Sequence, residues 1–228
     1  MNQRRLFLSG CVAIGALPSV SILSSQDDDS KRLDQEMVNI FVAKSHGDIE
    51  TIKSLLKKEP ALVNCARDWG SGDWETGLGA ASHVGRREIA TLLLDHGARL
   101  DAFAAVMLGM KDVVAEMLKV RKDLHTMPGA HDIPMLCHAI FGKSEAEEVF
   151  ELLLESGADV NAESKMRMTP LSAAVSVGSA QQVEELLRRG ADPKAKNSRD
   201  ESILDFAMKR DDAKVTALIK DAIAGQKK

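Results

Sequence analysis

Tyrosine is absent from the 228 residues, and six Phe and two Trp are the only large aromatics. A core built from this chain must rely on Leu, Ala, Val, Ile and Met, residues that suit helices. Excess positive charge is also missing. Thirty Lys and Arg stand against 34 Asp and Glu, for a net charge of −4. No basic field is present of the kind that marks nucleic-acid binding. Three groups of catalytic signature are lacking as well: a Gly-rich phosphate loop, a nucleophile elbow, and a paired-carboxylate constellation with a plausible cleft. These absences point away from an enzyme. What is present is an ordinary globular composition with 44% hydrophobic residues.

The N-terminus departs from the rest. "MNQRRLFLSGCVAIGALPSVSILSS" carries two Arg and then no charge from Leu6 through Ser25. A short basic region followed by an apolar run is the layout of an export signal. "QRRLFL" resembles the bacterial twin-arginine signal in Arg4, Arg5, Phe7 and Leu8, with Ser9 where that family often has Lys. Residues 6–23 are also about long enough to stay in a bilayer as an anchor, since roughly 17–25 residues suffice. "LSGC" at 8–11 has the letters of a lipoprotein box but follows too short an apolar run. The expected organisation is an export signal over 1–25, a polar linker over 26–36, a folded domain over 37–224 and a tail over 225–228. Cys11 lies in the signal, which leaves Cys65 and Cys137 as the cysteines of an exported domain.

The domain repeats itself. "HGARLDA" at 96, "SGADVNA" at 156 and "RGADPKA" at 189 each follow a Leu-rich stretch. A second signature runs upstream: "TGLGAASHVG" at 76, "PMLCHAIFG" at 134, "TPLSAAVSVG" at 169 and "SILDFAMKRD" at 202. The interval from Gly157 to Gly190 equals that from Thr169 to Ser202, so both signatures keep one period. The pattern resembles the ankyrin repeat, which opens on T-P-L-H-x-A-A-x-x-G and closes on G-A-D-x-N. The resemblance covers 37 to about 224 and implies an all-α solenoid of about six helix-turn-helix repeats with short hairpin fingers. The six copies fall at roughly 37–64, 65–98, 99–124, 125–158, 159–191 and 192–224.

The unit has a readable physics in its best copy. Thr169 caps a helix that begins at Pro170. Leu171, Ala174 and Val175 form its inner stripe, and Gly178 ends it. Val183, Leu186 and Leu187 recur at helical spacing on a second helix. Gly190 supplies a left-handed cap. No unit buries its own apolar face, so neighbours must stack. Stacked helix layers lie ~8–10 Å apart, which holds Cys65 and Cys137 roughly 20 Å apart. A disulfide needs Cα atoms within about 7 Å, so both thiols are expected to be free.

Two departures from the repeat locate a candidate site. Asn64 and Thr76 stand further apart in the chain than their counterparts Asn161 and Thr169, and "DWGSGDW" holds the excess. This enlarges one finger around Trp69 and Trp74. Conversely, Gly97 and Gly109 stand much closer together than Gly157 and Gly178, so repeat three has lost its finger. A notch is expected there, walled by the Trp finger and by "HTMPGAHDI" at 125–133. The ankyrin resemblance places partners on the concave face beside such fingers. It also turns the two residues before each helix-closing glycine toward that groove: Ser45 and His46, His83 and Val84, Met107 and Leu108, Phe141 and Gly142, Ser176 and Val177, Lys209 and Arg210. In repeat four Gly142 comes one residue early and two extra residues precede Val149.

The candidate partner-binding residues are therefore Trp69, Trp74, His83, Val84, Met107, Leu108, His131 and Phe141. Two readings stay open for the tryptophans: a packed cluster that steadies the loop, or contact anchors of the kind enriched at binding hot spots. Neighbouring fingers could equally fill over Met107, Leu108 and Phe141. His125, His131, Cys137 and His138 lie close together in the chain but fit no standard zinc spacing, so no metal and no cofactor is expected. The expected function is non-enzymatic binding of an unidentified protein by a monomer exported to the bacterial periplasm. Membrane contact is expected only through an uncleaved residue 6–23 anchor. The alternative is a periplasmic protein that binds a small molecule or metal in an apolar notch at repeat three.

Overall fold

A computed structural model describes residues 32–225, apart from Gly178 and Ser198. The export-signal residues Arg4, Arg5, Phe7 and Leu8 lie outside the described residues, as does the expected helix terminator Gly178. From Leu33 onward the chain forms one unit. It contains six helix pairs among the described residues. These are α1 (Gln35–Lys44) with α2 (Ile49–Lys58), α3 (Gly77–His83) with α4 (Arg87–Asp95), and α5 (Ala102–Met107) with α6 (Lys111–Val120). They continue with α7 (Met135–Phe141) and α8 (Glu147–Glu155), α9 (Pro170–Val177) and α10 (Ala180–Arg188), then α11 (Ile203–Lys209) and α12 (Ala213–Gly225).

The first helices stack in order, α1 on α3, α3 on α5, α5 on α7, α7 on α9 and α9 on α11. Small residues permit the approach: Ala80, Ala81, Ala104, Ala105, Ala139 and Ala174 are all wholly buried. Side-chain caps start most of these helices. Asp34 accepts from Met37 N–H, Thr76 from Gly79 N–H, Asp101 from Ala104 N–H and Ser202 from Asp205 N–H. Two asparagines of the G-A-D-x-N type tie one repeat to the next. Asn64 donates to Gly97 O (3.0 Å) and accepts from Arg99 N–H (2.8 Å). Asn161 donates to Gly190 O (3.1 Å) and accepts from Asp192 N–H (2.8 Å). Gly190 has the expected left-handed φ of +91°. Cys65 and Cys137 are unbridged, as stacking requires.

Two buried clusters make up the core, and α5 divides them. Ala104 and Met107 belong to a cluster running from Val38 to Leu93, whereas Ala105 and Val106 belong to one that continues to Ile219. This corrects one expectation. Met107 is not a groove residue but is fully buried. The helix that carries it is a short one, and its end is drawn against α4. Arg87 donates to Met107 O (3.0 Å) and Leu108 O (3.1 Å). Ser45, also expected at the groove, is buried with its hydroxyl on Phe41 O. The extra residues of repeat four form a short 3-10 turn at Lys143–Ala146. Gly109 packs against that turn with φ +72°, and a Cβ there would lie 1.9 Å from Glu145 O. Only glycine fits this crossing.

The enlarged finger is a hairpin of β1 (Ala66–Asp68) and β2 (Trp74–Thr76), antiparallel, with Asp68 opposite Trp74. Smaller fingers close through single bridges, Pro128 with Pro134 and Lys196 with Ser202. Between α4 and α5 only residues 96–101 intervene and no bridge forms, so repeat three lacks a finger.

Two measurements check this packing. Leu186 is fully buried on α10, so Leu186→Ala is expected to cost about 2–5 kcal/mol in denaturant unfolding. A near-neutral result would overturn the repeat register. Glu185 accepts hydrogen bonds from Arg188 and then Arg189, which hold its carboxyl at about 2. A depressed carboxyl stabilises above its unfolded value of about 4.3, and that contribution is lost as pH falls toward 2. Glu185→Gln should therefore flatten the acid limb of stability against pH between those values; an unchanged limb would show that the arginine pairs add nothing.

Candidate functional site

The finger turn is set by its residues. Asp68 accepts from Gly70 N–H (2.8 Å), and Gly70, Ser71 and Gly72 all take positive φ. Trp69 N–H bonds Asp73 O (2.9 Å), which closes the hairpin. The turn delivers Asp73 across the gap left by the missing finger. Asp73 Oδ1 accepts from His131 N–H (2.8 Å), and Oδ2 lies 3.0 Å from His131 Nδ1 and 2.9 Å from Lys165 Nζ. Partial burial works to raise the Asp73 carboxyl, but the His131 and Lys165 hydrogen bonds outweigh it and hold it at about 2. Lys165 N–H also bonds His131 O (3.0 Å).

The notch is thus bridged and not open. Beneath the bridge lies a cavity of about 490 Å³. Asp73, Glu75, Thr76, Asp101, Asp132 and Lys165 line it beside Trp74 and Phe103. The lining is mixed, with Trp74, Phe103, Pro128 and Ala130 supplying apolar surface beside these polar groups, and neither Met107 nor Leu108 is part of it.

Glu75 sits at the centre of the finger base, with its side chain wholly buried. Trp69 Nε1 donates to Glu75 Oε2 at 2.7 Å. Three imidazoles surround the carboxylate. His83 Nδ1 is 2.9 Å from Oε1, His131 Nε2 is 3.8 Å from Oε1, and His46 Nε2 is 3.8 Å from Oε2. The rings pack edge to face: His46 and His83 centroids are 4.9 Å apart, and those of His83 and His131 are 5.5 Å apart. Trp69 closes the group, 5.6 Å from His131 and 6.4 Å from His46. Burial works to raise the Glu75 carboxyl, but His83, His46 and the Trp69 indole outweigh it and lower it. Behind His83 lies His138, fully buried against Phe103 and pushed down to about 3, first by burial and then by the His83 charge. It is a neutral ring at neutral pH.

The structure brings together Trp69, His83 and His131 from the expected set. His83 faces Glu75 and is buried, so it is an interior member and not a groove contact. Trp69 is exposed, at 39%, but its indole is tied down by Glu75. Trp74, by contrast, is 63% exposed. Val84 is exposed, while Leu108 and Phe141 are half-buried and stand apart from the cluster. Sequence reasoning missed Asp73, Glu75 and Lys165 as site residues. Each is one charged residue among many, and only the closed hairpin aligns them.

Two substitutions separate the tryptophans. Trp69→Phe keeps a ring but strips Glu75 Oε2 of its donor, and should cost about 1–3 kcal/mol in thermal or chemical unfolding. Trp74→Ala should stay within about 0.5 kcal/mol of the parent. Equal costs would mean that both rings are packed.

Residues 102–197 match the family model described as Ankyrin repeats (3 copies). That span covers α5 through the finger before α11, and its helix pairs share their caps and closing turns with the pairs before it. Residues 102–197 are thus ankyrin repeats, and the described chain is an all-α stack of helix pairs consistent with an ankyrin solenoid.

Proposed function

We propose that this chain is a non-enzymatic recognition scaffold that holds a partner protein on the face formed by its fingers and first helices. Ankyrin repeats are generally protein–protein interaction modules. The observation that carries the reading here is Trp74. A large ring stands 63% exposed on a hairpin pinned at both ends, by Trp69 to Glu75 and by Asp73 to His131 and Lys165. A rigid base spares the ordering cost that a loose loop pays on binding. Arg67 adds to the surface, its guanidinium 3.7 Å from the Trp69 ring centre. Burial pushes the Cys65 thiol up to about 11 and the Cys137 thiol higher still. Neither is a thiolate nucleophile at neutral pH, which supports a non-enzymatic role.

The proposal includes export to the bacterial cell envelope as a monomer. It rests on the basic-then-apolar order of residues 1–25 and on the twin-arginine-like Arg4, Arg5, Phe7 and Leu8. Among the described residues no helix is long and apolar enough to cross a membrane. Membrane attachment would then fall to residues 6–23. A second reading, binding of a small polar ligand, is favoured by the cavity beneath the Asp73 bridge.

The full chain and its Trp74→Ala variant, used as paired baits in envelope extract, test the first reading. A partner captured by the parent, cross-linked to the finger and lost with Trp74→Ala is the expected outcome. Equal capture by both baits would move the site off the finger. Capture by neither, with a polar metabolite retained by the purified chain, would replace the first reading with the second.

A further inference from the structure

We propose that His46, His83 and Glu75 form a binding site for one divalent transition-metal ion of the zinc class, with His131 beside them. The donor set is appropriate: zinc takes imidazole nitrogen and carboxylate oxygen, and three protein ligands leave a fourth position for water or another donor. The geometry is close to what such an ion needs. Bonds of about 2.0–2.1 Å at tetrahedral angles place ligand atoms ~3.3–3.5 Å apart. His83 Nδ1 lies 2.9 Å from Glu75 Oε1 and His46 Nε2 lies 3.8 Å from Glu75 Oε2, on either side of that value. Ligand atoms of His46, Glu75 and His83 all fall within 4.8 Å of one another.

Two buried atoms have no partner but each other. Glu75 Oε1 and His83 Nδ1 are shielded from solvent and face each other at 2.9 Å as an ion pair that falls short of hydrogen-bond alignment, and neither makes another hydrogen bond among the described residues. Orphaned groups of this kind are costly unless something satisfies them.

The remaining atoms of the set are already committed in the way metal sites require. Beside the set, His131 Nδ1 is held by Asp73 Oδ2 at 3.0 Å, which leaves its Nε2 free. His46 Nδ1 lies 3.0 Å from Ala43 O, which likewise frees its Nε2. Trp69 occupies Glu75 Oε2 and leaves Oε1 to face His83 and His131. Outer partners that fix ring orientation and ligand basicity are characteristic of metal-binding histidines. The ligands come from the end of α1, the end of α3 and β2. An ion here would fasten repeats one and two, while the Asp73–His131 contact reaches repeat four beside it. This function is separate from partner binding, since exposed Trp74 is not a ligand.

The test uses the full chain stripped with EDTA, desalted and titrated with Zn²⁺ by calorimetry. Co²⁺ serves as a second probe, read by its visible absorption and by quenching of Trp69 fluorescence. The expected result is one saturable equivalent, with a Co²⁺ spectrum unlike that of the hexaaqua ion. His46→Ala and His83→Ala should each weaken binding at least tenfold, and Trp69→Phe, which removes the outer partner of Glu75, should weaken it about 10–100-fold. His96→Ala, whose imidazole lies on Leu92 O away from the cluster, should match the parent. His46 sits at the rim, so its variant is expected to keep the parent's unfolding transition in chelator. The parent titration is decisive in any case. No saturable equivalent would overturn the proposal and leave the imidazoles as ion-pair partners of Glu75. Parent-like affinity in His46→Ala, or a loss in His96→Ala, would overturn the assignment of ligands.

Discussion

Close backbone approach between adjacent repeats is the constraint on which everything else rests. A pair of helices this short cannot enclose a core of its own, so each must lie flat against its neighbour. Alanines on the first helices allow this, and Gly109 allows the tightest crossing, where its backbone meets that of Glu145. The exposed asparagine pairs and the part-buried Arg87 contacts then tie the backbones of neighbouring repeats together. The fingers take their positions from this stack, because most leave directly from the caps of the first helices.

Loss of one finger changes what its neighbours do. With nothing standing over α5, the hairpin of repeat two reaches the finger of repeat four directly. The extra residues that lengthen it supply the reach, and Asp73 supplies the contact. The deletion and the insertion therefore work as one feature. Together they convert an open groove into a bridged one, and they enclose a carboxylate that would otherwise face water. Burying Glu75 would be costly alone. The indole and the imidazoles around it offset that cost, so the hairpin base is a polar core built beside the apolar one.

How much of this was legible in the sequence depends on the range of the interaction. The helix pairs were readable because caps, apolar stripes and closing glycines are local, and Thr169, Leu186 and Gly190 behave as their spacing implied. The unequal fingers were readable too, from the intervals between landmark residues. Met107 was not, because its burial follows from the contact of a short helix with Arg87, which belongs to the preceding repeat. The polar cluster was not readable either. His46, Glu75, His83 and His131 share no linear spacing, and His131 is readable only as part of the 125–133 wall of the notch, not as a neighbour of Glu75. Its actual neighbours, Glu75 and His83, belong to repeat two, a whole repeat removed from its own.

The Asp73–His131 contact joins repeats that are not adjacent in the array. In an ordinary solenoid each unit feels only the next, and the energetics reduce to a chain of nearest-neighbour terms. Here the two buried clusters meet at α5, the shortest α-helix among the described residues and the natural place for such a chain to come apart. The bridge spans that junction from outside. It acts as a second-neighbour coupling, so the two halves of the array should lose structure together and not as separate blocks.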